Sequence, residues 1–372
     1  MAGAGQPFYM PLTWPVGHVT SAIFCKSDDD VPPKPNATAD LDAIGHMTSC
    51  FAATRSFLIA YICIYGLYDH ANHPYPAFGA AQNLSAWQTW AWPIITRNFL
   101  LAWLICGSWD WFLYFSPWAP KLHKYKLNPN YPSRQQFVHD AFFTSTATLM
   151  MSLLECITCH LWASGVLKYQ YDLSETPISN FLWAITITHW RVPHFWLMHR
   201  GMHPWFSLHN KSPIPDVGRF LYKHVHSLHH KSYNPTAFSG TSMHPIESFT
   251  YFTAALICVP FGCHPTIFLG CVMDCAVGAW LGHDGFQWPG SGDYFHQLHH
   301  MYFECNYGAM HVPMDKWLGT FCAGKDKDKM TKNNNNHSNH HNDDPKGMEQ
   351  RMLDMREEHE LHAPGTSIKK DE

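Results

Sequence analysis

Five apolar stretches divide this 372-residue chain, and their lengths constrain its architecture more than any other feature. They are FLIAYICIYGLY (57–68), FLLAWLICGSWDWFLYF (99–115), AFFTSTATLMMSLLECITCHLWASGVL (141–167), ISNFLWAITITHW (178–190, running on to Met198) and SFTYFTAALICVPFGCHPTIFLGCVMDCAVGAWLG (248–282). A helix needs about 20 predominantly apolar residues to cross a bilayer. Pro260 and Gly262 break the last stretch into halves of about 14 and 18 residues. It is expected to form a short hairpin that enters and leaves on one side. Trp and Tyr near the run ends suit the membrane interface. The expectation is an all-α integral membrane protein with about four transmembrane helices plus this short membrane hairpin. The competing reading is a set of buried helices in a soluble α-protein.

Composition supports the membrane reading. Charged residues make up 15% of the chain, against about 25% in an ordinary soluble domain. Mean hydropathy is only −0.23 because 28 histidines and a polar tail offset a hydrophobic content of 46%. A formal charge of −4 gives no reason to expect nucleic acid. The 12 cysteines are scattered, several within apolar runs, which fits reduced or membrane-buried thiols better than a secreted disulfide framework. Cys156 and Cys159 form a C-x-x-C, but inside an expected span, where packing is the simpler role. The chain divides into a polar segment (1–50), an N-terminal transmembrane region (51–135), a region holding the histidine clusters (136–322) and a low-complexity cytosolic tail (323–372) expected to be disordered. Residues 1–50 carry no leading apolar run, so no cleavable signal peptide is expected.

The histidines cluster. His199 and His203 frame HRGMH; His226, His229 and His230 frame HSLHH; His296, His299 and His300 frame HQLHH. On an α-helix, residues three and four apart share a face, so each H-x-x-H-H spans about 100° of arc and His199 and His203 lie about 40° apart. Each cluster is expected to project its imidazoles into one volume. His283 in GHDGF is a ninth candidate and His244 in MHPIES a weaker tenth. His194 and His224 fall off these faces and are expected to support the ligands or pack. Asn306 is taken as a further supporting residue. The same H-x-x-H-H spacing recurs at His337, His340 and His341, but among Asn and Asp with no apolar flank, so that copy is read as disordered sequence. Arg191, Arg200, Lys211, Arg219, Lys223 and Lys231 surround the block at 194–244, which places it on the cytosolic side by the positive-inside tendency. A cytosolic helical cap would then carry all the clusters.

One structural zinc takes four ligands and a catalytic zinc usually three, so eight to ten histidines fit two metals. Imidazole suits zinc, iron and copper. The chain has no H-E-x-x-H, so a zinc peptidase would lack its base. Two redox metals beside a membrane point to dioxygen activation and attack on an unactivated C–H bond of a lipid. Rival readings are a membrane zinc hydrolase, which would work without dioxygen, and a His-rich metal transporter, which would place ligands mid-span. Asp110 and Asp274 do not form such a pathway.

HRGMH, HVHSLHH and HQLHH, in that order with apolar segments between, resemble the fatty acid hydroxylase/sterol desaturase superfamily. The texts LYKHVHSLHHKSYNPTAFSG, MHPIES, GHDGF, HQLHHMYFECNYG and PMDKWLGTF extend the resemblance over about 180–322. It implies a helical, ER-type membrane oxygenase with two iron ions, dioxygen as co-substrate, and electrons from cytochrome b5 or a similar donor, ultimately from NAD(P)H. Carried over residue by residue, the implied ligands are His199, His203, His226, His229, His230, His283, His296, His299 and His300. One departure stands out: many members have an Asp seven residues before the first motif His, where this chain has Val192 beside Arg191. HDGF is similar to the HDGD of sterol C5-desaturases and the HSGY of methylsterol oxidases and sterol 25-hydroxylases, without matching either. A sterol or related lipid is the expected substrate; a fatty-acyl or sphingoid chain is the alternative. The final residues SIKKDE carry Lys369 and Lys370 in a dilysine pattern, an expected address for COPI-type retrieval to the ER membrane.

Overall fold

Three prolines mark helix starts that shape this chain. Pro177, Pro245 and Pro265 each occupy the first turn of a helix, where a missing N–H costs nothing because it would have no intrahelical partner. The computed structural model describes residues 47–66, 75, 79–127, 132–170, 172–206, 213–232, 234–288 and 292–322. Within them lie α1 (Met47–Tyr61), α2 (Trp87–Asp110), α3 (Ala119–Leu122), α4 (Arg134–Ala163), α5 (Pro177–Gly201), α6 (Val217–His224), α7 (Pro245–Phe252), α8 (Pro265–Leu281), α9 (Asp293–Tyr302) and α10 (Met314–Trp317). Single 3-10 segments run over His226–Lys231 and Thr253–Phe261. The described residues hold no named strand, only the isolated bridges Lys126–Phe286 and Ala309–Val312. The all-α expectation therefore stands. Most of the polar N-terminal segment and the tail from 323 onward, with His337, His340, His341, Lys369 and Lys370, lie outside the described residues.

Among the described residues one helix, Arg134–Ala163, is long and apolar enough to cross a bilayer. A second qualifies if Leu84–Phe115 and Ala119–Tyr125, bent by 86°, are taken as one broken span. The four expected spans are not all met by this criterion, for local reasons. His189, Arg191 and His194 dilute the apolar character of α5. The hairpin divides where expected, at Gly262 (φ 72°), which holds a left-handed conformation that a side chain would strain. Its arms, Pro245–Phe261 and Pro265–Leu281, are short apolar helices.

Long helices here expose apolar side chains and bury polar ones, the reverse of a water-soluble bundle. On α2, Leu100 and Leu104 are 65% and 67% exposed while Arg97, Asn98 and Asp110 are buried. On α5, Ile178 and Phe181 are 75% and 65% exposed. A helix facing water shows the opposite arrangement. Arg97 is paired: it reaches both oxygens of Glu155 on α4 at 2.5 and 2.6 Å, and Asn98 Nδ2 donates to Glu155 at 2.9 Å. Removing one member would strand a buried charge, which costs about 3–5 kcal/mol. Cys156 and Cys159 are free, buried thiols in the same packed region, where Cys159 Sγ lies 3.7 Å from Tyr75 Oη.

Helix α1 packs on α8, α2 on α4, α4 on α7, and α5 on α8 and on the Thr253–Phe261 segment. Trp162 and Phe268 meet edge to face at 5.5 Å in the core among them. The start of α4, the end of α5, the start of α7 and the end of α8 lie at the opposite end of this core. There the chain passes repeatedly through one small volume.

Candidate metal centre

Each histidine is delivered by a defined piece of backbone. His199 is in the last turn of α5 and His203 follows it. His226, His229 and His230 lie on the 3-10 segment after α6. His283 follows the end of α8, and His296, His299 and His300 are on α9. The nine candidates of the sequence analysis gather into two groups, each with donor atoms within 4.8 Å of one another: His199, His203, His226, His230 and His299; and His229, His283, His296 and His300.

This division refines the expected geometry. Each H-x-x-H-H does not serve one volume; it is split. The i,i+4 pairs stay together, 199 with 203, 226 with 230, and 296 with 300. The i+3 histidines cross over: His229 joins the second group and His299 the first. On α9 this follows from the helical angle, since i and i+4 lie about 40° apart while i+3 falls about 60° to the other side. The 226–231 segment is 3-10 rather than α. There the crossing follows from where the ring nitrogens are held.

The Nδ1 atoms face outward to fixed acceptors. His199 Nδ1 donates to the Tyr307 carbonyl at 2.7 Å, His299 Nδ1 to the Cys305 carbonyl at 2.7 Å, His283 Nδ1 to the Ala279 carbonyl at 2.6 Å and His229 Nδ1 to the Ser242 carbonyl at 3.2 Å. His226 Nδ1 lies 2.7 Å from Glu247 Oε1. A carbonyl can only accept, so the four carbonyl contacts place the proton on Nδ1 of His199, His299, His283 and His229 and leave a lone pair on Nε2. The Nε2 atoms then converge. His283 and His229 are 3.0 Å apart, His283 and His300 3.1 Å, His199 and His226 3.0 Å, His226 and His230 3.0 Å, and His230 and His299 3.2 Å.

Two lone pairs facing each other at 3.0 Å repel unless a cation lies between them. His229 and His283 are in this position, since both Nδ1 protons are fixed by carbonyls. A shared proton is a poor solution because burial opposes charge: it pushes His226 down to about 3 and His283 to about 4. Burial, followed by repulsion from neighbouring imidazoles, also holds His229, His230, His296, His299 and His300 well below the usual range. Neutral imidazole is the form that binds metal. Two nitrogens about 2.1 Å from one ion and at right angles about it lie about 3.0 Å apart, which matches the observed spacings. His203 is 0% exposed with neither ring nitrogen hydrogen-bonded, and His296 Nε2 also lacks a partner. The donor set therefore fits two metal ions.

The other candidates fall elsewhere. His224 ends α6 on the exposed side, its ring 4.6 Å from Phe220. It does not support the ligands, because the helix turns it away from them. His194 Nε2 contacts Thr253 Oγ1 at 3.2 Å and so joins α5 to the 253–261 segment rather than backing a ligand. His244 caps α7, its Nδ1 accepting from Ile246 N at 3.2 Å, and is in neither group. Asn306 is 0% exposed and acts through the backbone: its Nδ2 donates to the carbonyls of Phe295 and Cys322 at 3.0 and 2.9 Å, and its Oδ1 accepts from Cys322 N at 2.7 Å. It lies between the two carbonyls, Cys305 and Tyr307, that orient His299 and His199. Val192 is buried and Arg191 pairs with Asp274 at 2.7 Å; His199 is oriented by the Tyr307 carbonyl instead of an upstream Asp.

Sequence reasoning missed several supports. Glu247 lay within the quoted MHPIES, where an acid two residues after His-Pro on a helix start could have suggested a histidine partner. Asp315 accepts from Tyr307 N and Gly308 N, both at 2.8 Å, and so fixes the loop whose carbonyl holds His199. Nothing local marks that role.

Residues 183–320 match the fatty acid hydroxylase family. Similar proteins include cholesterol 25-hydroxylase of Homo sapiens, 27% identical over 55% of this chain and 74% of that protein. Lathosterol oxidase of Homo sapiens is 28% identical over 50% of this chain and 62% of its own length. Methylsterol monooxygenase 1 of Gallus gallus is 24% identical over 56% and 71% respectively. No solved structure matches the chain.

Proposed function

Because the chain belongs to the fatty acid hydroxylase/sterol desaturase superfamily, we propose that it is a membrane-bound, dioxygen-dependent di-iron oxidase of a sterol or related lipid. The observation that carries this reading is the pair of converging histidine groups, five and four strong, with the Nε2 atoms of seven of them 3.0–3.2 Å from a neighbour's Nε2. Two such ions at one site, when bound, supply dioxygen activation and removal of hydrogen from an unactivated C–H bond, which requires a redox metal and so favours iron over zinc.

The chain's own residues do the positioning. The carbonyls of Tyr307, Cys305, Ser242 and Ala279 fix the tautomer and ring orientation of His199, His299, His229 and His283. Glu247 holds the His226 ring by a 2.7 Å contact to its Nδ1. Tyr307 packs its ring 4.9 Å from His203 and 5.3 Å from His299, covering the five-histidine group. Exclusion of water keeps the imidazoles neutral. The exposed apolar faces of α2 and α5 suit contact with lipid, and an ER membrane location with a cytosolic site accords with the basic residues around 194–244. A cytochrome b5-type protein is the proposed electron donor. The relatives named above are by name a cholesterol hydroxylase, a lathosterol oxidase and a methylsterol monooxygenase, which favours a sterol over a fatty-acyl chain.

The test uses the full chain in membranes or nanodiscs with a reduced donor and a panel of sterols. Dioxygen consumption should accompany a product with one added oxygen or two fewer hydrogens. Turnover under strict anaerobiosis, or with zinc as the sole metal, would overturn the proposal.

A further inference from the structure

The four-histidine group has a remote organiser. Asp140, in the second turn of α4, is 0% exposed and touches none of the nine histidines directly. Its Oδ1 accepts from Ser232 Oγ at 2.6 Å and from Ser242 Oγ at 2.9 Å. Its Oδ2 accepts from Ser239 Oγ at 2.7 Å. His139 Nδ1 lies 3.1 Å from Oδ1, and Gln136 Nε2 lies 3.4 Å from Oδ2. Three serines spread over eleven residues of chain thus converge on one buried carboxylate about 90–100 positions earlier.

The serines belong to the segment that closes the four-histidine group. Ser232 follows directly on the 226–231 turn. Ser242 donates its hydroxyl to Asp140 while its carbonyl accepts from His229 Nδ1 at 3.2 Å. Between them, Gly240 lies against the last turn of α8: a Cβ there would be 2.3 Å from the Ala279 carbonyl oxygen. That same oxygen holds His283 Nδ1 at 2.6 Å. One clasp on segment 232–242 therefore sets the acceptor of His229 and backs the acceptor of His283. None of these contacts reaches the His226 support, which is Glu247.

We infer that Asp140 is a positioning residue for the four-histidine group, holding the 232–242 segment so that His229 and His283 present Nε2 to one ion. The inference rests on the reading of the two groups as ion sites. It makes a directional demand that a general role in stability would not: loss of Asp140 should weaken one ion site and spare the other.

The experiment titrates metal-stripped full-length protein with divalent cobalt, in competition with a chelator, and follows visible absorption. His283→Ala and His203→Ala serve as references for loss of the four- and five-histidine sites. Wild type should bind two equivalents. Asp140→Ala should bind the four-histidine equivalent 10- to 100-fold more weakly, as for other supports behind ligands, with the five-histidine equivalent unchanged. Ser242→Ala, which removes one donor and keeps the carbonyl, should show the same selective loss to a smaller extent. Wild-type affinity at both sites in Asp140→Ala, or equal weakening of both, overturns the inference. Should Asp140→Ala fail to fold, Ser242→Ala decides: selective weakening supports the clasp, and unchanged or uniform binding overturns it. A wild type that takes up no cobalt overturns the ion-site reading itself, a different result from two normal equivalents in the variants.

Discussion

Acidification of the metal-free protein should destabilise it, and the size of the effect follows from which histidines are buried. An imidazole in the unfolded chain titrates near 6.5. Burial holds His226 at about 3 and His283 at about 4. The folded state therefore binds fewer protons, so stability is fully present above the unfolded value and is lost as pH falls below about 6.5 toward the folded values. At pH 5.5 each of these two histidines removes about 1.4 kcal/mol. Asp284 opposes them: burial pushes it up to about 6, and a raised carboxyl contributes about 0.8 kcal/mol of stability at pH 5.5 relative to pH 7.5. Glu247, also raised by burial, acts in the same opposing sense. His226, His283 and Asp284 together leave a net loss of about 2 kcal/mol, and the remaining buried histidines of the centre add to it. In a domain of 150–250 residues that lowers Tm by about 4–8 °C. The assay is thermal unfolding of chelator-treated protein at pH 7.5, 6.5 and 5.5, followed by near-UV circular dichroism of the tryptophans. Metal-loaded protein should resist the change until the ligands protonate and release the ions. An unchanged midpoint for the metal-free protein between pH 7.5 and 5.5 would refute the reasoning, because the imidazoles would then be hydrated or already charged.

Further outcomes follow from single contacts. Glu247→Gln should weaken metal binding 10- to 100-fold at the five-histidine site alone, read by the same cobalt titration. Gly240→Ala places a methyl 2.3 Å from the Ala279 oxygen and should reduce the four-histidine site by at least tenfold; binding equal to wild type would show that the 232–242 segment is free to move. Glu155→Ala should cost about 3–5 kcal/mol, seen as a lower thermal midpoint with metal content per folded chain unchanged. His226→Ala, His229→Ala and His230→Ala should each abolish turnover, whereas deleting 326–344, which removes the identically spaced His337, His340 and His341, should leave metal content and turnover near wild type.

The sequence pointed to the nine histidines that the fold brings together, because imidazole is a rare residue type whose spacing and apolar flanks are both readable. It did not carry their division into two groups. That division depends on which acceptor holds each Nδ1, and four of the five acceptors identified are backbone carbonyls, which have no residue signature. A similar limit hid Asp140: the partners that tie it to the site are three ordinary serines about 90–100 positions away. The assumption of regular α geometry failed at His226–Lys231, which is 3-10, since the chain there is bound at both ends by tertiary contacts that override local preference. The break in the hairpin was legible, because Pro260 and Gly262 constrain the backbone itself. Arg191 was conspicuous beside an expected acid, but its partner Asp274 lies on another helix and was beyond reach of a linear reading.

The central claim is that two ions are held by imidazole nitrogens in groups of five and four. Metal analysis combined with iron K-edge absorption on the purified full-length chain tests it most directly. The account predicts about two irons per chain with a nitrogen-dominated shell near 2.1 Å, and loss of ions from one group at a time in His203→Ala and His283→Ala. A chain that carries no iron at full activity, or one whose iron survives both substitutions unaltered, would contradict it.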